Sequence, residues 1–203
     1  MSADIGIIFH SMYGHTHDLA EQIAAGVEKG EGKPQLRRVP ELMSEGQLAD
    51  AGAAEAQDAL STVPLATIDE LAEFDGIIFG SPTRFGNRTS QMSSFLDQTG
   101  PLWASGALVG KTAGFFTGAS TMHGGFESTI LTMSTFAYHH GMLIVPMGYS
   151  DDAASKTRSG GGPYGPSHWS PQGEEKDGLS DHEISIANSY GRFFAEVTGK
   201  LTA

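Results

Sequence analysis

Four short runs of β-branched and aromatic residues recur along the chain, and they constrain its fold more than any other feature. They cover residues 4–9 (DIGIIF), 75–80 (DGIIFG), 112–116 (TAGFF) and 142–148 (MLIVPMG), and a weaker run at 36–39 (LRRV) makes a fifth. The first four runs are apolar at nearly every position instead of every second one, which is typical of strands covered on both faces. The runs therefore predict five strands in a parallel sheet.

The segments between these runs carry apolar residues at helical spacing. Two capping boxes, each a hydroxyl with a carboxylate three residues later, mark helix starts at Thr67 with Glu70 and at Ser180 with Glu183. The apolar positions are Leu19, Ile23 and Val27; Met92, Phe95 and Leu96; Phe126, Ile130, Met133 and Ala137; and, in a last helix, Ile184, Ala187, Gly191, Phe194 and Leu201. This alternation predicts an open doubly wound α/β fold, flavodoxin-like or Rossmann-like. Five strands favour the flavodoxin-like sheet, with strand order 2-1-3-4-5 and helices on both faces.

The length of 203 residues predicts a single domain, 1–203. Two segments, around 40–66 and 150–179, fit neither strand nor helix patterns, and insertions of that length are usually functional or interfacial when ordered. The N-terminus lacks the basic flank and cleavage site of a signal peptide, and no apolar run is long enough to span a bilayer. We therefore expect a cytoplasmic protein without membrane insertion.

Composition excludes several kinds of chemistry. The chain has no cysteine, which rules out disulfides, iron–sulfur clusters, thiolate zinc sites and a cysteine nucleophile. Its net charge of -12 opposes nonspecific attraction to nucleic acid or to an anionic membrane surface, so we expect no nucleic-acid partner. His15 and His17 lie two residues apart, a spacing that diverges on a helix, and we predict no metal site.

Three loops of unusual composition follow the first, third and fourth strands, where ligands bind in open α/β sheets. They are residues 10–16 (HSMYGHT), 81–87 (SPTRFGN) and 117–125 (TGASTMHGG). The first offers hydroxyls at Ser11 and Thr16 and a turn at Gly14 before a helix. The free amides and dipole of a helix start bind phosphate without any lysine. This loop therefore predicts a site for a single phosphomonoester.

The second and third loops would supply groups suited to a flat polar ring. They contain Arg84 and Phe85, and Gly86, Gly118 and Gly124 allow close approach. A phosphate at one end and a flat heterocycle at the other describe flavin mononucleotide, FMN. Ordinary turns, with Ser11 and Thr16 as helix caps, are the alternative for any one loop. Three such loops at one edge favour the ligand site.

Six blocks of sequence resemble those of a known family, in the same order along nearly the whole chain. They are SMYGHT, RVPE, FGSPTRFGN, QMSSFLDQTGPLWASGALVGK, HHGMLIVPMGY and GGGPYG. The chain closely resembles the WrbA family, flavodoxin-like NAD(P)H:quinone oxidoreductases. The third loop departs from the family pattern, since Met122 and His123 stand among its glycines.

The resemblance implies an FMN enzyme that takes two electrons from NADH or NADPH and passes them to a quinone, in a homotetramer whose flavin sites are partly walled by a neighbouring subunit. Tyr13, Phe85 and Trp103 would contact the substrates, and His139 would be a flavin-pocket residue and, with Trp103, catalytic. The residues implied for cofactor binding are Ser11, Met12, Tyr13, Gly14, His15 and Thr16 for the phosphate and ribityl chain; Pro82, Thr83, Arg84, Phe85 and Gly86 along the ring; and Thr117, Gly118, Ser120, Thr121, Gly124 and Gly125 on its far side.

Two functions remain open at this point. In a quinone reductase, nicotinamide and quinone would use the same aromatic slot in turn, which predicts ping-pong kinetics. The alternative is a one-electron carrier of the flavodoxin type, or a flavin-binding interaction protein, whose acidic surface docks on a basic partner. The fold alone does not decide between them.

Overall fold

The apolar runs pair side by side in one parallel sheet. The structure is a computed structural model and describes residues 2–171 and 178–202. The strands are β1 (Asp4–Phe9), β2 (Lys33–Arg38), β3 (Gly76–Pro82), β4 (Thr112–Ala119), β5 (Leu143–Ile144) and β6 (Ser167–Trp169). The order is β2-β1-β3-β4-β5, and β6 also pairs with β4. The predicted flavodoxin-like order 2-1-3-4-5 is confirmed, with a sixth strand added.

The helices follow the strands in alternation. They are α1 (His15–Lys29), α2 (Glu45–Asp50), α3 (Ala54–Leu60), α4 (Ser90–Asp97), α5 (Gly100–Ser105), α6 (Phe126–His139), α7 (Ala153–Lys156) and α8 (Asp181–Leu201), with a 3-10 turn at Asp69–Ala72. Both predicted capping boxes form, at Thr67 with Glu70 before the 3-10 turn and at Ser180 with Glu183. Residues 40–66 carry α2 and α3. The segment 150–179 carries α7 and β6, and its residues 172–177 lie outside the described part of the chain.

Apolar side chains cover both faces of the sheet, as the continuous strand runs predict. On one face Ile5 and Ile7 pack with residues of α1 and α8, and on the other Ile77 and Phe79 pack with residues of α4 and α6. A glycine lets α1 and α8 approach closely, because a Cβ at Gly191 would lie 2.1 Å from the carbonyl oxygen of Ile23. This packing fixes the N-terminus of α1 relative to the sheet.

The edge of the sheet differs from the prediction. The apolar run 142–148 forms only the two-residue strand β5, and its last backbone bond to β4 runs from the Val145 N–H to the Ala113 carbonyl at 2.9 Å. The chain returns to the same edge as β6, paired with the last residues of β4. Between β5 and β6 the Tyr190 hydroxyl accepts from the Phe115 N–H and donates to the Val145 carbonyl. It thus replaces the backbone partner that these two groups lack where the strands are interrupted.

The buried face of α8 also differs from the predicted stripe. Ala187, Gly191 and Phe194 are buried as expected, whereas Ile184 is half-buried and Leu201 is exposed. The buried positions instead include Ile186, Ala187, Tyr190, Phe194 and Thr198. The helix turns this face toward β4 because Tyr190 reaches Phe115 at the interrupted edge and Thr198 bonds Thr112 at 2.7 Å.

Candidate functional site: a cavity at the carboxyl ends of the strands

A cavity of about 890 Å³ lies where the loops after β1, β3 and β4 meet. That volume is within the range of small-molecule and cofactor sites. The residues that line it are Ser11, Met12, Tyr13, His15, Thr16, Pro82, Thr83, Arg84, Phe85, Gly118, Ala119, Ser120, Thr121, Gly124, Ser170 and Pro171. All three loops singled out in the sequence contribute to this one cavity.

The first loop ends in a helix start that has no side-chain cap. Gly14 is the N-cap residue of α1, with φ of 93°, and no side chain accepts a hydrogen bond from its first turn in the capping position. The Ser11 hydroxyl accepts from the His17 N–H at 3.3 Å from outside the cap, and Thr16 lies buried inside the helix. The start of α1 therefore directs backbone amides and the positive end of its dipole to the first loop.

The third loop leads into α6 in the same way. Its N-cap is Gly125, with φ of 109° and no side-chain cap. Among the described helices of eight residues or more, α4 and α8 instead begin with Thr89 and Ser180, whose hydroxyls accept from a first-turn N–H. The two helices that start at the cavity are thus the two with glycine caps, an arrangement suited to an anionic ligand.

The second loop presents an aromatic ring in a strained turn. Arg84 and Asn87 exchange backbone hydrogen bonds of 2.7 and 3.0 Å, closing a two-residue hairpin over Phe85 and Gly86. Both central residues have positive φ, 54° and 79°, as a type I′ turn requires. Glycine adopts this conformation freely, but phenylalanine does so at a cost. Phe85 is fully exposed, so its neighbours in the fold do not compensate for that strain.

Hydroxyl and glycine contacts join the second and third loops. The Thr83 N–H donates to the Gly118 carbonyl at 2.8 Å, and its hydroxyl accepts from Thr129 at 2.8 Å. A Cβ at Gly125 would lie 2.7 Å from the Cα of Gly86. Any larger residue at Gly125 would push these two loops apart and widen the cavity.

The charge of the cavity is opposite to that of the protein. The chain carries 24 acidic residues, yet none lines the cavity in the part of the chain that the structure describes. Arg84 lines the cavity with a positive charge. Its guanidinium donates to the carbonyl of the preceding residue, Thr83, at 2.9 Å and to the Met12 sulfur at 3.3 Å. With two helix N-termini added, this lining fits a ligand that carries phosphate and a ring that gains negative charge.

A buried histidine–glutamate pair lies behind the first loop and was missed in the sequence. His10 Nε2 lies 3.0 Å from Glu41 Oε2, and Glu41 also accepts from Gln91 and from the N–H groups of Leu42 and Met43. Burial lowers the pKa of His10, so the ring is neutral at pH 7. Burial raises the pKa of Glu41, but these hydrogen bonds outweigh it and hold the pKa at about 2. The pair connects the end of β1 to the insertion 40–66.

The returning strand β6 brings a second buried pair and two cavity residues, Ser170 and Pro171. His168 Nδ1 lies 3.1 Å from Glu183 Oε2, and Glu183 also accepts from the N–H groups of Gly160 and Trp169 at 2.9 Å. Burial raises the pKa of Glu183, but the hydrogen bonds from His168 and the backbone lower it to about 2. The only sequence signal for β6 is a short polar–aromatic run between Pro166 and Pro171.

The insertion 40–66 contacts the first loop directly. Gln57 of α3 donates to the carbonyl oxygens of Ser11 and Met12 at 2.8 and 2.9 Å. The Tyr13 hydroxyl donates to the Ala51 carbonyl at 3.1 Å. Sequence patterns could not assign these contacts, because they join residues 38 to 46 positions apart through backbone atoms.

Thirteen of the residues proposed for the cofactor line the cavity; Ala119, Ser170 and Pro171 line it too and were not anticipated. Gly14, Gly86 and Gly125 form the turns of the same loops. Thr117 is buried in β4, where its hydroxyl donates to the Ser81 carbonyl at 2.7 Å. The residues proposed on these three loops therefore share one site.

Trp103 and His139 lie elsewhere in the single chain. Both line a separate groove of about 410 Å³ between α4, α5 and α6, together with Arg88, Thr99 and His140. Trp103 lies on α5, which has no buried residues, and 60 % of its surface is exposed. The fold of one chain therefore does not bring these two residues to the cavity.

Three potential metal ligands lie close together at the start of α1. His17, Asp18 and Glu21 have ligand atoms within 4.8 Å of one another. However, Asp18 lies 3.9 Å from Nδ1 of His17 and Glu21 lies 3.8 Å from Nε2. Glu21 is exposed, and acidic groups at exposed positions are common without a bound ion. The absence of a metal site stays a prediction.

Comparison with known proteins shows the family of the chain. The family described as NADPH-dependent FMN reductase matches residues 5–155. The chain belongs to this family. It is 49% identical over 201 residues to NAD(P)H dehydrogenase (quinone) from Geobacter sulfurreducens, covering 96% of this chain and 97% of the relative. The protein of the same name from Syntrophobacter fumaroxidans is 48% identical, with 97% of each chain covered.

Solved structures agree with the fold. A flavodoxin, WrbA-like protein from Agrobacterium tumefaciens matches with a TM-score of 0.67 and 26% identity, covering 98% of this chain and 99% of that one. A flavodoxin from the domain Archaea has a TM-score of 0.61 at 17% identity, covering 97% and 99%, and shows the shared fold alone. Together these findings confirm the resemblance to the WrbA family and the predicted FMN, with a nicotinamide nucleotide as co-substrate. In the described residues, no helix is both long and apolar enough to cross a membrane.

Proposed function

We propose that the protein is an FMN-dependent enzyme that reduces quinones to hydroquinones by two electrons, with NADH or NADPH as the reductant. The carrying observation is the cavity at the strand ends, where two glycine-capped helices begin and which no carboxylate of the described residues lines. Bound there, FMN would supply reversible two-electron redox chemistry, which the protein side chains lack. The relatives named NAD(P)H dehydrogenase (quinone) support this reaction class.

Each loop has a distinct role in this proposal. Residues 11–16 would hold the phosphate and ribityl chain through backbone amides and the Ser11 and Thr16 hydroxyls. The second loop, residues 82–86, would lie along the ring, where the Arg84 charge favours the electron-rich form. The third loop, with Gly118, Ser120, Thr121 and Gly124, would close the far side. The exposed rings of Tyr13 and Phe85 would stack on flat substrates at the mouth.

A second copy of the chain would complete the substrate site. Trp103 and His139 lie on a separate groove in one chain, so their proposed contacts with quinone require a neighbouring subunit to bring them over a cavity. We propose a homotetramer in which Trp103 stacks on the quinone and His139 donates a proton to its oxygen. Sedimentation equilibrium tests the assembly. Trp103→Ala should then raise KM for benzoquinone while FMN affinity stays unchanged.

The decisive experiment mixes FMN-loaded protein with NADH in the absence of oxygen and then adds benzoquinone. We expect rapid loss of the yellow flavin absorbance followed by its return. Because both substrates would use the same slot, initial rates at several quinone concentrations should give parallel double-reciprocal lines. Intersecting lines would contradict alternating occupancy.

An electron carrier of the flavodoxin type is the second candidate, favoured by the net charge of -12, which suits docking on a basic partner. Flavin that stays yellow in NADH but is reduced by a one-electron donor would support it. A cytoplasmic location without nucleic-acid partners completes the proposal, and fractionation of the producing cells tests the location.

A further inference from the structure

Gln57 makes an unusual pair of contacts with the first loop. Its Nε2 lies 2.8 Å from the Ser11 carbonyl oxygen and 2.9 Å from the Met12 carbonyl oxygen. Both partners are acceptors only, so the NH₂ end of the amide must face them. Each of its two hydrogens then serves one carbonyl. Consecutive carbonyls are held by a single side chain from a distant helix.

These contacts fix the direction of two peptide groups. The chain has no cis peptide bonds, and in a planar trans peptide the N–H points opposite to the C=O. The carbonyls of Ser11 and Met12 are joined to the N–H groups of Met12 and Tyr13. Drawing the two oxygens toward Gln57 therefore turns both N–H groups to the other side of the loop.

The other side of the loop is the cavity. Ser11, Met12 and Tyr13 line it, whereas Gln57 does not, so α3 lies behind the loop. Among residues 2–171 and 178–202, no acceptor takes the N–H of Met12 or of Tyr13. Two donors without an acceptor in the described part of the chain thus stand beside the glycine-capped start of α1.

The position of Gln57 is itself fixed by packing. α3 is anchored by Leu60, which is buried in the main core, and Ala53 just before the helix is fully buried. The Tyr13 hydroxyl adds a contact to Ala51 at 3.1 Å. The insertion 40–66 therefore acts as a rigid support for residues 11–13.

We propose that Gln57 is a positioning residue for phosphate recognition: its amide holds two loop peptides so that the N–H groups of Met12 and Tyr13 bind the phosphate of FMN. This inference rests on the proposed function, because it takes the first loop to be the phosphate end of the site. It assigns to the insertion 40–66 a role in selecting phosphorylated flavin over riboflavin.

The experiment compares the affinities for FMN and riboflavin by quenching of flavin fluorescence. Gln57→Met keeps the length of the side chain and removes both donors, and Gln57→Glu keeps its shape and replaces the donors with acceptors. Asp58→Asn, on an exposed position of the same helix, is the matched control. Riboflavin lacks the phosphate but fills the same ring site, so its binding reports whether the cavity is folded.

We expect both Gln57 variants to bind FMN about tenfold more weakly, the effect of misdirecting two donors to a charged group, while the riboflavin affinity stays unchanged. Asp58→Asn should keep the wild-type ratio of the two affinities. If the Gln57 variants keep the wild-type ratio, or lose both affinities equally, the inference is wrong and Gln57 is structural. If wild-type protein itself binds FMN no better than riboflavin, the proposed phosphate site fails instead.

Discussion

Helices α1 and α8 pack against each other on one face of the sheet, yet they begin in opposite ways. At the start of α8 the Ser180 hydroxyl accepts from the Glu183 N–H, and Glu183 accepts in return from the Ser180 N–H. At the start of α1 the cap is Gly14, which has no side chain to offer. A side-chain cap stabilises the helix that it begins, whereas a helix start that leaves its amides open can bind an anion.

The supporting groups differ in the same way. The Glu183 carboxylate forms hydrogen bonds inside the protein, with the His168 ring and with the N–H groups of Gly160 and Trp169. The first loop receives its support from behind, through Gln57, so that its amides remain available to the cavity. Stability and binding are thus divided between the two helix starts. Substitutions at the start of α8 and at the start of α1 test this division.

The largest effect is expected from removing the carboxylate at α8. Glu183→Ala would leave the buried Gly160 N–H and the half-buried Trp169 N–H without an acceptor, lowering the free energy of unfolding by about 3–5 kcal/mol. Urea unfolding measures this loss. Glu196→Ala, an exposed position of the same helix paired with Arg192 at 3.6 Å, should cost less than about 0.5 kcal/mol. Similar losses in both variants would show that Glu183 does not tether β6.

Acid should weaken the folded state through the same carboxylate. The pKa of Glu183 falls from 4.5 to about 2 on folding, so its contribution is complete above pH 4.5 and is lost as the pH falls toward 2. The full contribution is about 3 kcal/mol from that shift. Glu41 adds to the loss in the same pH range, since its pKa is also lowered to about 2.

The measurement is the free energy of unfolding as a function of pH between about 6 and 2. Glu183→Gln does not titrate, so its stability should fall less steeply over that range than that of the wild type. Parallel pH profiles for the two proteins would mean that Glu183 does not gain stability from its charge.

A smaller effect is expected at the start of α1. Gly14→Ala forces a Cβ into the left-handed region at φ of 93°, which should lower the free energy of unfolding by about 1–2 kcal/mol. Gly46→Ala in α2 is the matched control, because a Cβ there meets nothing within 4 Å and glycine costs stability inside a helix. That control should gain about 0.5–1 kcal/mol. Thermal unfolding of both variants measures these changes. A higher stability of Gly14→Ala than of the wild type would contradict the need for a glycine cap at α1.

Local patterns predicted much of this fold. The run 4–9 became β1 at the same bounds, and both capping boxes formed. These features depend on neighbours within a few residues, so sequence alone carries them. The three loops were also placed at one edge, because the carboxyl ends of parallel strands share that edge.

The supports of the site could not be predicted in the same way. His10 with Glu41 and Gln57 with Ser11 are separated by 31 and 46 residues along the chain. No spacing rule links such residues, since their meeting depends on how the insertion 40–66 folds over β1. The division of the edge into β5 and β6 likewise depends on Tyr190, in a helix 45 residues after Val145.

The sequence by itself determined the positions of the main strands, the glycine at the start of α1 and the composition of the loops, because apolar period and backbone freedom are local properties. Only the tertiary structure decided which amides stay open and which groups hold them. It also decided that Trp103 and His139 lie away from the cavity of their own chain. Burial, hydrogen bonding and charge in the site arise from contacts between distant segments, and these exist only once the chain has packed.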